Sequence, residues 1–280
     1  MRRGWFIAFI LLTAGCNVEE PSLPAGAAEH LQDAITALRS HAIQEALAHA
    51  DSALLLAPEH PYGHFVKGQA YYLLADFAAA RWAWEKASAL EPAYFAWWQS
   101  LGDVAFRQAD FAASLKYYER ALRLSPDAIS WHGAAGAYWE MSQPLEARRA
   151  CEQALALDST YAPAYLSLSM IAEHEGELHE ALRLAHRAID FGPEYTPSFL
   201  VAGRLHRLLE KPLEAIPLLQ KALEAAPGSS EIRYNLAQAL QQAGLSDEAA
   251  RVWEATNVHF SLRGSEPERT LNSETQPYRY

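Results

Sequence analysis

The sequence has few cysteines, few glycines and no long apolar run. Two cysteines in 280 residues cannot form a framework of disulfide bonds. Only 14 glycines accompany eight tryptophans and 13 tyrosines, a balance that indicates a packed, helix-rich protein. No segment reaches the ~20 apolar residues that a membrane-spanning helix needs. Half of the residues are hydrophobic and a fifth are charged, which excludes a disordered chain.

Basic side chains are also in the minority. The chain holds 23 lysines and arginines against 34 aspartates and glutamates, a formal net charge of −11. A protein that binds nucleic acid needs a basic face to neutralise phosphates. The composition therefore gives no reason to expect a nucleic-acid partner.

The N-terminal residues have the pattern of an export signal. Two arginines precede an apolar run over residues 5–14, and small residues follow it. Residues 13–16, with the sequence TAGC, resemble the lipobox of bacterial lipoproteins, in which cleavage precedes the cysteine. The resemblance implies a signal peptide over residues 1–15 and acyl chains on Cys16 that anchor the mature protein in a membrane. The alternative is an ordinary signal peptide followed by a chance cysteine.

The residues after the cysteine extend this interpretation. Asn17, rather than aspartate, follows Cys16, which in enterobacterial lipoproteins favours export to the outer membrane. We therefore expect a lipid-anchored protein of the bacterial cell envelope, on the outer membrane and facing the periplasm. Residues 16–26 are expected to form the lipidated cysteine and a short tether, because they hold two prolines and no apolar period. With Cys16 acylated, Cys151 has no partner for a disulfide.

One block of about 34 residues recurs along the rest of the chain. A proline series has this period, with Ser159 in its one gap: Pro58, Pro92, Pro126, Pro193 and Pro227. Small residues form a second series, Gly68, Gly102, Ala135, Ser169, Gly203 and Ala237. A third series is Ala46, Ala80, Ser114, Ala147, Ala181, Ala215 and Ala249. Three series with one period identify a repeat protein.

Each repeat contains two amphipathic stretches of about a dozen residues, joined by a short polar turn. Small residues at a fixed phase indicate where two helices cross closely, because a larger side chain would separate the axes. The proline ends the second helix, since the residue before a proline disfavours the α conformation. A single helical hairpin cannot bury its apolar face, so neighbouring hairpins must stack.

The pattern resembles the tetratricopeptide repeat, which favours Trp, Leu, Gly, Tyr, Ala, Phe, Ala and Pro at set positions of a 34-residue unit. The repeat over 95–128 carries six of them: Trp98, Leu101, Gly102, Tyr118, Ala121 and Pro126. The resemblance implies an all-α solenoid over residues 27–263, a right-handed superhelix of about seven stacked helix-turn-helix units. The expected repeats are 27–60, 61–94, 95–128, 129–161, 162–195, 196–229 and 230–263. Residues 264–280 show no helical period and are expected to form a disordered tail.

No catalytic constellation emerges from the sequence. His174 and His179 flank two glutamates, but they are five residues apart across a turn, whereas a helical metal pair needs a spacing of four. Cys151 occupies a core position of its repeat, which favours a buried thiol over a nucleophile. We therefore expect no enzyme activity, cofactor, metal or small-molecule substrate. A metal-dependent accessory protein acting through the two histidines is a less favoured alternative.

In the resembled family, peptides bind a concave groove that the first helix of each pair lines. The matching positions in the first repeats are Tyr62, Phe65, Gln69, Tyr72, Gln99, Asp103, Phe106, Arg107, His132 and Trp139. In the later repeats they are Met170, Glu173, Leu200, Arg204, Arg207, Tyr234, Gln238 and Gln241. Aromatic side chains, which are enriched at binding hot spots, dominate the first set. Arg204 and Arg207 suit a carboxylate of the ligand.

Packing within or between hairpins is the alternative interpretation for the aromatic residues, and the favoured one for Trp84 and Trp98. The sequence thus predicts a membrane-anchored scaffold or adaptor that binds a peptide segment of an envelope protein in its groove. The combination of lipid anchor and repeats resembles pilotin-type lipoproteins and lipoproteins that dock envelope-assembly enzymes. A self-associating structural component is the other alternative, because the edges of a solenoid can pair.

Overall fold

The computed structural model describes residues 23–261, so the expected signal peptide, Cys16 and the expected tail lie outside the described residues. Within this range the chain forms fourteen α-helices and no strand. In chain order they are α1 (Ala25–Arg39), α2 (Ile43–Leu56), α3 (Pro61–Leu73), α4 (Phe77–Leu90), α5 (Phe95–Arg107), α6 (Phe111–Leu124), α7 (Ala128–Glu140), α8 (Pro144–Leu157), α9 (Ala162–His174), α10 (Leu178–Phe191), α11 (Thr196–Leu208), α12 (Pro212–Ala225), α13 (Ser230–Gln242) and α14 (Ser246–Ser261). None of the described helices is both long enough and apolar enough to cross a membrane.

The helices form consecutive hairpins: the first hairpin is α1–α2, and the others follow in chain order to α13–α14. The chain divides into an N-terminal unit that ends at Ala147 and a C-terminal unit that begins at Arg148. Inside each unit a hairpin packs against the next one, as the apolar periodicity requires. The expected all-α solenoid of stacked hairpins is confirmed.

Each hairpin turns through one residue with a left-handed backbone. The seven residues have φ between 58° and 82° and recur about every 34 positions: His41, Ala75, Ala109, Ser142, Gly176, Glu210 and Gly244. In the third hairpin the amide of Ala109 donates to the carbonyl of Phe106, and the amide of Asp110 donates to that of Ala105. This pair of bonds is the Schellman ending of a helix, which satisfies carbonyls that the helix leaves unpaired. The sequence did not predict these residues, because only two of them are glycine.

Identifiable residues mark where the second helix of a hairpin begins and ends: a capping aspartate in two hairpins and a proline after the helix in most of them. Asp76 and Asp110 cap α4 and α6 by accepting from the amides of Ala79 and Ala113 over 3.0 and 3.1 Å. The second helices that end at a phased proline stop two residues before it, for example α4 at Leu90. The proline series therefore marks helix ends, as predicted.

Close helix crossings account for the series of small residues. A Cβ added to Gly68 of α3 would lie 2.3 Å from Nε1 of Trp84 on α4. A Cβ added to Gly203 of α11 would lie 2.6 Å from Cγ of Leu219 on α12. Trp84 is 1 % exposed, and its indole Nε1 donates to the carbonyl of Phe65 over 3.2 Å. The expected packing role of Trp84 is thus confirmed; Trp98 is half-buried.

Candidate functional site

The predicted groove residues of the N-terminal unit lie on the first helices of its hairpins, α3, α5 and α7. Arg107 at the end of α5 is exposed, and its Nε donates to the hydroxyl of Tyr72 on α3 over 3.1 Å. The ring of Tyr72 packs at 5.7 Å from Trp84 and at 5.5 Å from Phe77, centroid to centroid. Tyr72 is therefore anchored by its ring and links two hairpins through its hydroxyl.

A half-buried carboxyl group, that of Asp103, interacts electrostatically with both partners of this contact. Asp103 of α5 accepts a short hydrogen bond from the hydroxyl of Tyr118 on α6. Burial raises the pKa of Asp103 to about 6, and the bond from Tyr118 and the charge of Arg107 oppose that rise. Burial also raises the pKa of Tyr72, and the charge of Asp103 adds to the shift. Tyr118 belongs to the same cluster, but sequence reasoning placed it only in the repeat consensus.

Two further aromatic residues among the predicted groove residues, Phe106 on α5 and Trp139 on α7, are half-buried. Phe106 packs at 5.3 Å from the ring of Phe111. The Phe106 ring also lies against Gly136 of α7, where an added Cβ would be 3.4 Å from the ring, close to ordinary van der Waals contact. Burial lowers the pKa of His132, also on α7, to about 4, so its imidazole is neutral at pH 7.

Other predicted groove residues of this unit lie inside the stack. Phe65 is 2 % exposed, with its ring centroid 4.7 Å from that of Trp97. Gln69 is also buried. Gln99 donates from its amide to Oγ of Ser130 over 2.8 Å. Tyr62 is half-buried, with its ring edge-on to Trp97 at 5.3 Å. Phe65, Gln69 and Gln99 thus support the helices and offer little area of their own, whereas Tyr62 is half-buried, like Tyr72.

The arginine pair of the C-terminal unit is arranged differently from the expectation. Arg204 on α11 is 6 % exposed, and its Nη2 donates to Oε2 of Glu173 on α9 over 2.6 Å. Its Nη1 lies 4.0 Å from Oε1 of Glu231 on α13. A buried guanidinium needs such partners, since an unpaired buried charge is costly. The chain itself therefore supplies carboxylates to Arg204, and Arg207 is the half-buried member of the pair.

The remaining predicted positions of this unit vary in exposure. Met170 is buried, Leu200 and Gln238 are half-buried, and Gln241 is exposed. Tyr234 is 48 % exposed, with its ring edge-on to Trp253 at 5.7 Å.

The residues weighed for catalysis and metal binding have clear positions. His174 ends α9 and His179 lies in the first turn of α10, and both are exposed. Cys151 is buried as predicted, and burial raises the pKa of its thiol to about 12, so it is not a thiolate near neutral pH. Among the described residues, His30, Asp33 and His49 form a group that could hold a metal ion. Sequence reasoning missed this group because its members lie on two helices.

Comparison with known proteins identifies the repeat. Models described as tetratricopeptide repeat match residues 95–128, 132–196 and 208–256. No curated protein matches the chain by sequence.

Several solved structures share the fold. PilF of Pseudomonas aeruginosa has a TM-score of 0.64 at 17 % identity, over 76 % of this chain and 97 % of that one. PilW, described as a widely conserved type IV pilus biogenesis factor, has 0.66 at 19 %, over 76 % and 99 %. The Cut9–Hcn1 assembly of the APC/C has 0.68 at 14 %, over 83 % of this chain and only 49 % of the other. At such identities the likeness concerns the fold alone.

Proposed function

Because the chain belongs to the tetratricopeptide repeat family, we propose that it is a non-enzymatic scaffold that binds a peptide segment of a protein partner. The segment lies along the first helices of the N-terminal hairpins. The observation that carries this proposal is the surface of Tyr72, Phe106, Arg107 and Trp139, hereafter the aromatic surface. It combines half-exposed rings with one exposed guanidinium. Tyrosine, tryptophan and arginine are the residues most enriched at binding hot spots.

The anchoring of the rings favours this role. Tyr72 is fixed by contacts to Trp84 and Phe77, and Phe106 by Phe111. A side chain that is already held loses little rotamer freedom when a ligand covers it, so more of the contact energy contributes to affinity.

The proposal also assigns a place in the cell. Acyl chains on Cys16 hold the scaffold at the outer membrane, on the periplasmic side, and the short tether keeps the first hairpin close to the lipid. The likeness to PilF and PilW supports a pilotin-like or other envelope-assembly role, since PilW is described as a pilus biogenesis factor. The partner is then a subunit of an envelope complex.

The main experiment is affinity capture from a membrane extract of the native host, with the full chain carrying Cys16→Ser as bait. A second bait adds Phe106→Ala, Arg107→Ala and Trp139→Ala, which remove area from the aromatic surface. A control bait adds Trp82→Ala, Arg120→Ala and Arg123→Ala, which remove one indole and two guanidinium groups from exposed sites on α4 and α6. Circular dichroism first establishes that all baits are folded.

We expect the partner to be retained by the control bait and lost from the second bait. Retention by both baits would place binding on another surface and reject the aromatic surface. Loss from the control bait alone would assign binding to the second helices.

Membrane anchoring is tested separately in cells. The wild-type chain is expected in the outer-membrane fraction with an acylated Cys16 identified by mass spectrometry. The Cys16→Ser chain is expected to lack acyl chains and to be absent from the outer-membrane fraction. An unmodified cysteine in a cleaved, soluble wild-type chain would contradict the anchor without affecting the scaffold proposal.

A further inference from the structure

A cluster of metal-ligand side chains lies in the first hairpin, which carries none of the predicted groove residues. His30 and Asp33 are three residues apart on α1, a spacing that places both on one face of the helix. His49 lies on α2, which packs against α1. One ligand atom from each residue lies within 4.8 Å of the other two. We propose that these three side chains form a binding site for a divalent transition-metal ion, and specifically for Zn²⁺.

The distances suit an ion better than direct contacts. Nδ1 of His49 lies 3.8 Å from Oδ2 of Asp33, which is too long for a hydrogen bond. The rings of His30 and His49 have centroids 5.8 Å apart and are tilted by 39°. In a tetrahedral site with bonds of about 2.0–2.2 Å, neighbouring ligand atoms lie about 3.4 Å apart. Small side-chain rotations therefore bring the ligand atoms to the separation that an ion requires.

The ring of His30 supplies an independent observation. Its Nδ1 is buried and has no hydrogen-bond partner among the described residues. Buried polar atoms are almost always satisfied, so an exception calls for a missing partner. A metal ion that takes the lone pair of one ring nitrogen of His30 fixes the tautomer of that ring and orients its other nitrogen.

The donor set selects the class of ion. Two imidazoles and one carboxylate suit zinc and its neighbours, whereas Mg²⁺ and Ca²⁺ prefer oxygen ligands alone. Three protein ligands leave the fourth tetrahedral position to a water molecule. The side chains of Asp33 and His49 are 50 % and 37 % exposed, so an ion can enter from solvent.

The site lies beside a core cluster that consists mostly of small side chains. The core between α1 and α2 contains Ala34, Ala37, Leu38, Ala46 and Ala50, whereas the next core cluster contains phenylalanine and tryptophan. An ion that ligates side chains of both helices joins them beside this alanine-rich packing. Because it binds the folded hairpin and not the unfolded chain, it raises stability by mass action.

The test is a titration of the full chain carrying Cys16→Ser with zinc chloride, followed by calorimetry. We expect one Zn²⁺ per chain and a higher midpoint of thermal unfolding in its presence. Asp33→Asn should weaken binding by roughly ten- to a hundredfold, the effect that even outer-shell partners of a metal can have. His30→Gln together with His49→Gln should abolish binding. Co²⁺ in place of Zn²⁺ should give the visible absorption of a four-coordinate ion.

The matched control removes two histidines elsewhere, His174→Gln with His179→Gln, both exposed. Retention of Zn²⁺ by this control, with loss in His30→Gln/His49→Gln, supports the site. Failure of the parent chain to bind Zn²⁺ overturns the proposal, and so does unchanged affinity in His30→Gln/His49→Gln or loss in the control. If His30→Gln/His49→Gln does not fold, the Zn²⁺ affinity of Asp33→Asn decides, and an affinity equal to that of the parent chain overturns the proposal. The Asp33 side chain is half exposed, so this variant is expected to fold.

Discussion

In the third and fifth hairpins a serine hydroxyl joins the two helices at equivalent positions of the repeat. The serine lies on the second helix of the third hairpin and on the first helix of the fifth. In the third hairpin Ser114 of α6 donates from Oγ to the carbonyl of Gly102 on α5 over 2.9 Å. In the fifth hairpin Ser169 of α9 donates to the carbonyl of Ala181 on α10 over 2.7 Å. Both bonds are buried and span twelve residues. The repeat thus preserves the close crossing, and either helix can supply the side chain.

The size of the side chain that faces the glycine of the first helix also differs between hairpins. In the second hairpin Gly68 faces the indole of Trp84, and in the sixth Gly203 faces the smaller Leu219. Dense packing is required at each crossing, but not any one pair of residues. The hairpins α3–α6 fill the space with rings, and α11–α12 fill it with aliphatic side chains. We expect the first group to depend more strongly on single side chains.

The largest expected effect comes from removing a ring. Trp84→Ala should lower the free energy of unfolding by about 4 kcal/mol, because it leaves a cavity beside Gly68. Leu219→Ala, in the equivalent place, should cost about 3 kcal/mol. Urea denaturation followed by circular dichroism measures both. Trp82→Ala is the matched control: this indole is 52 % exposed, and its removal should change stability by less than about 0.5 kcal/mol.

A double-mutant cycle tests whether the Trp84 indole is the reason that glycine is required at position 68. Gly68→Ala alone should cost about 2 kcal/mol, because the new Cβ would clash with the indole of Trp84. In the Trp84→Ala background the same change should cost much less, since the clash is gone. Additive losses would show that glycine is needed at this position for another reason.

A smaller effect is expected at the hairpin turns, where the same two hairpins differ again. Ala109 in the third hairpin has φ of 60°, and Gly176 in the fifth has φ of 82°. A left-handed backbone costs a residue with a side chain roughly 1–2 kcal/mol. Ala109→Gly should therefore stabilise the protein by about 1 kcal/mol, and Gly176→Ala should destabilise it by a similar amount. A Cβ at Gly176 meets nothing within 4 Å, so its effect isolates the backbone.

Thermal unfolding of the two variants checks the opposite signs, with Ala75→Gly in the second hairpin as an independent copy of the first change. Destabilisation by Ala109→Gly and Ala75→Gly would indicate that the methyl groups make favourable contacts. Those contacts would then outweigh the backbone strain that glycine relieves.

These turns also show how far the sequence predicts the fold. The period, the paired helices and the proline that follows the second helix are all predicted, because each depends on residues within one repeat. The left-handed turn is not, since alanine at positions 75 and 109 carries no signal for positive φ. The Schellman hydrogen bonds impose that conformation, and they depend on where both helices end.

The candidate site is less predictable than the fold. Position in the repeat identifies the helix face, but exposure depends on the size and charge of neighbours in other repeats. Arg204 is buried because Glu173, 31 residues earlier, pairs with it. Phe65 is buried because Trp97 of the following hairpin covers it. No local pattern contains that information.

The remaining expected effects concern pH, and they have opposite signs in the two regions. The folded chain raises the pKa of Asp103 on α5 from 3.8 to about 6, so it binds a proton more tightly than the unfolded chain does. As pH falls from 7 to 5, the wild type should gain about 1 kcal/mol of stability relative to Asp103→Asn. Chemical denaturation at several pH values measures the difference. A constant difference would mean that the carboxyl group is well solvated in the folded chain.

His206 on α11 should behave in the opposite way. Burial and the charge of His186 lower its pKa below 6.5, so the unfolded chain binds the proton more tightly. The two Nε2 atoms lie 3.2 Å apart, and one must donate while the other accepts, which is impossible once both rings are protonated. As pH falls through 6.5, the wild type should therefore lose stability relative to His206→Gln. Because Asp103 and His206 belong to different units, acid should strengthen the contribution of one region and weaken that of the other.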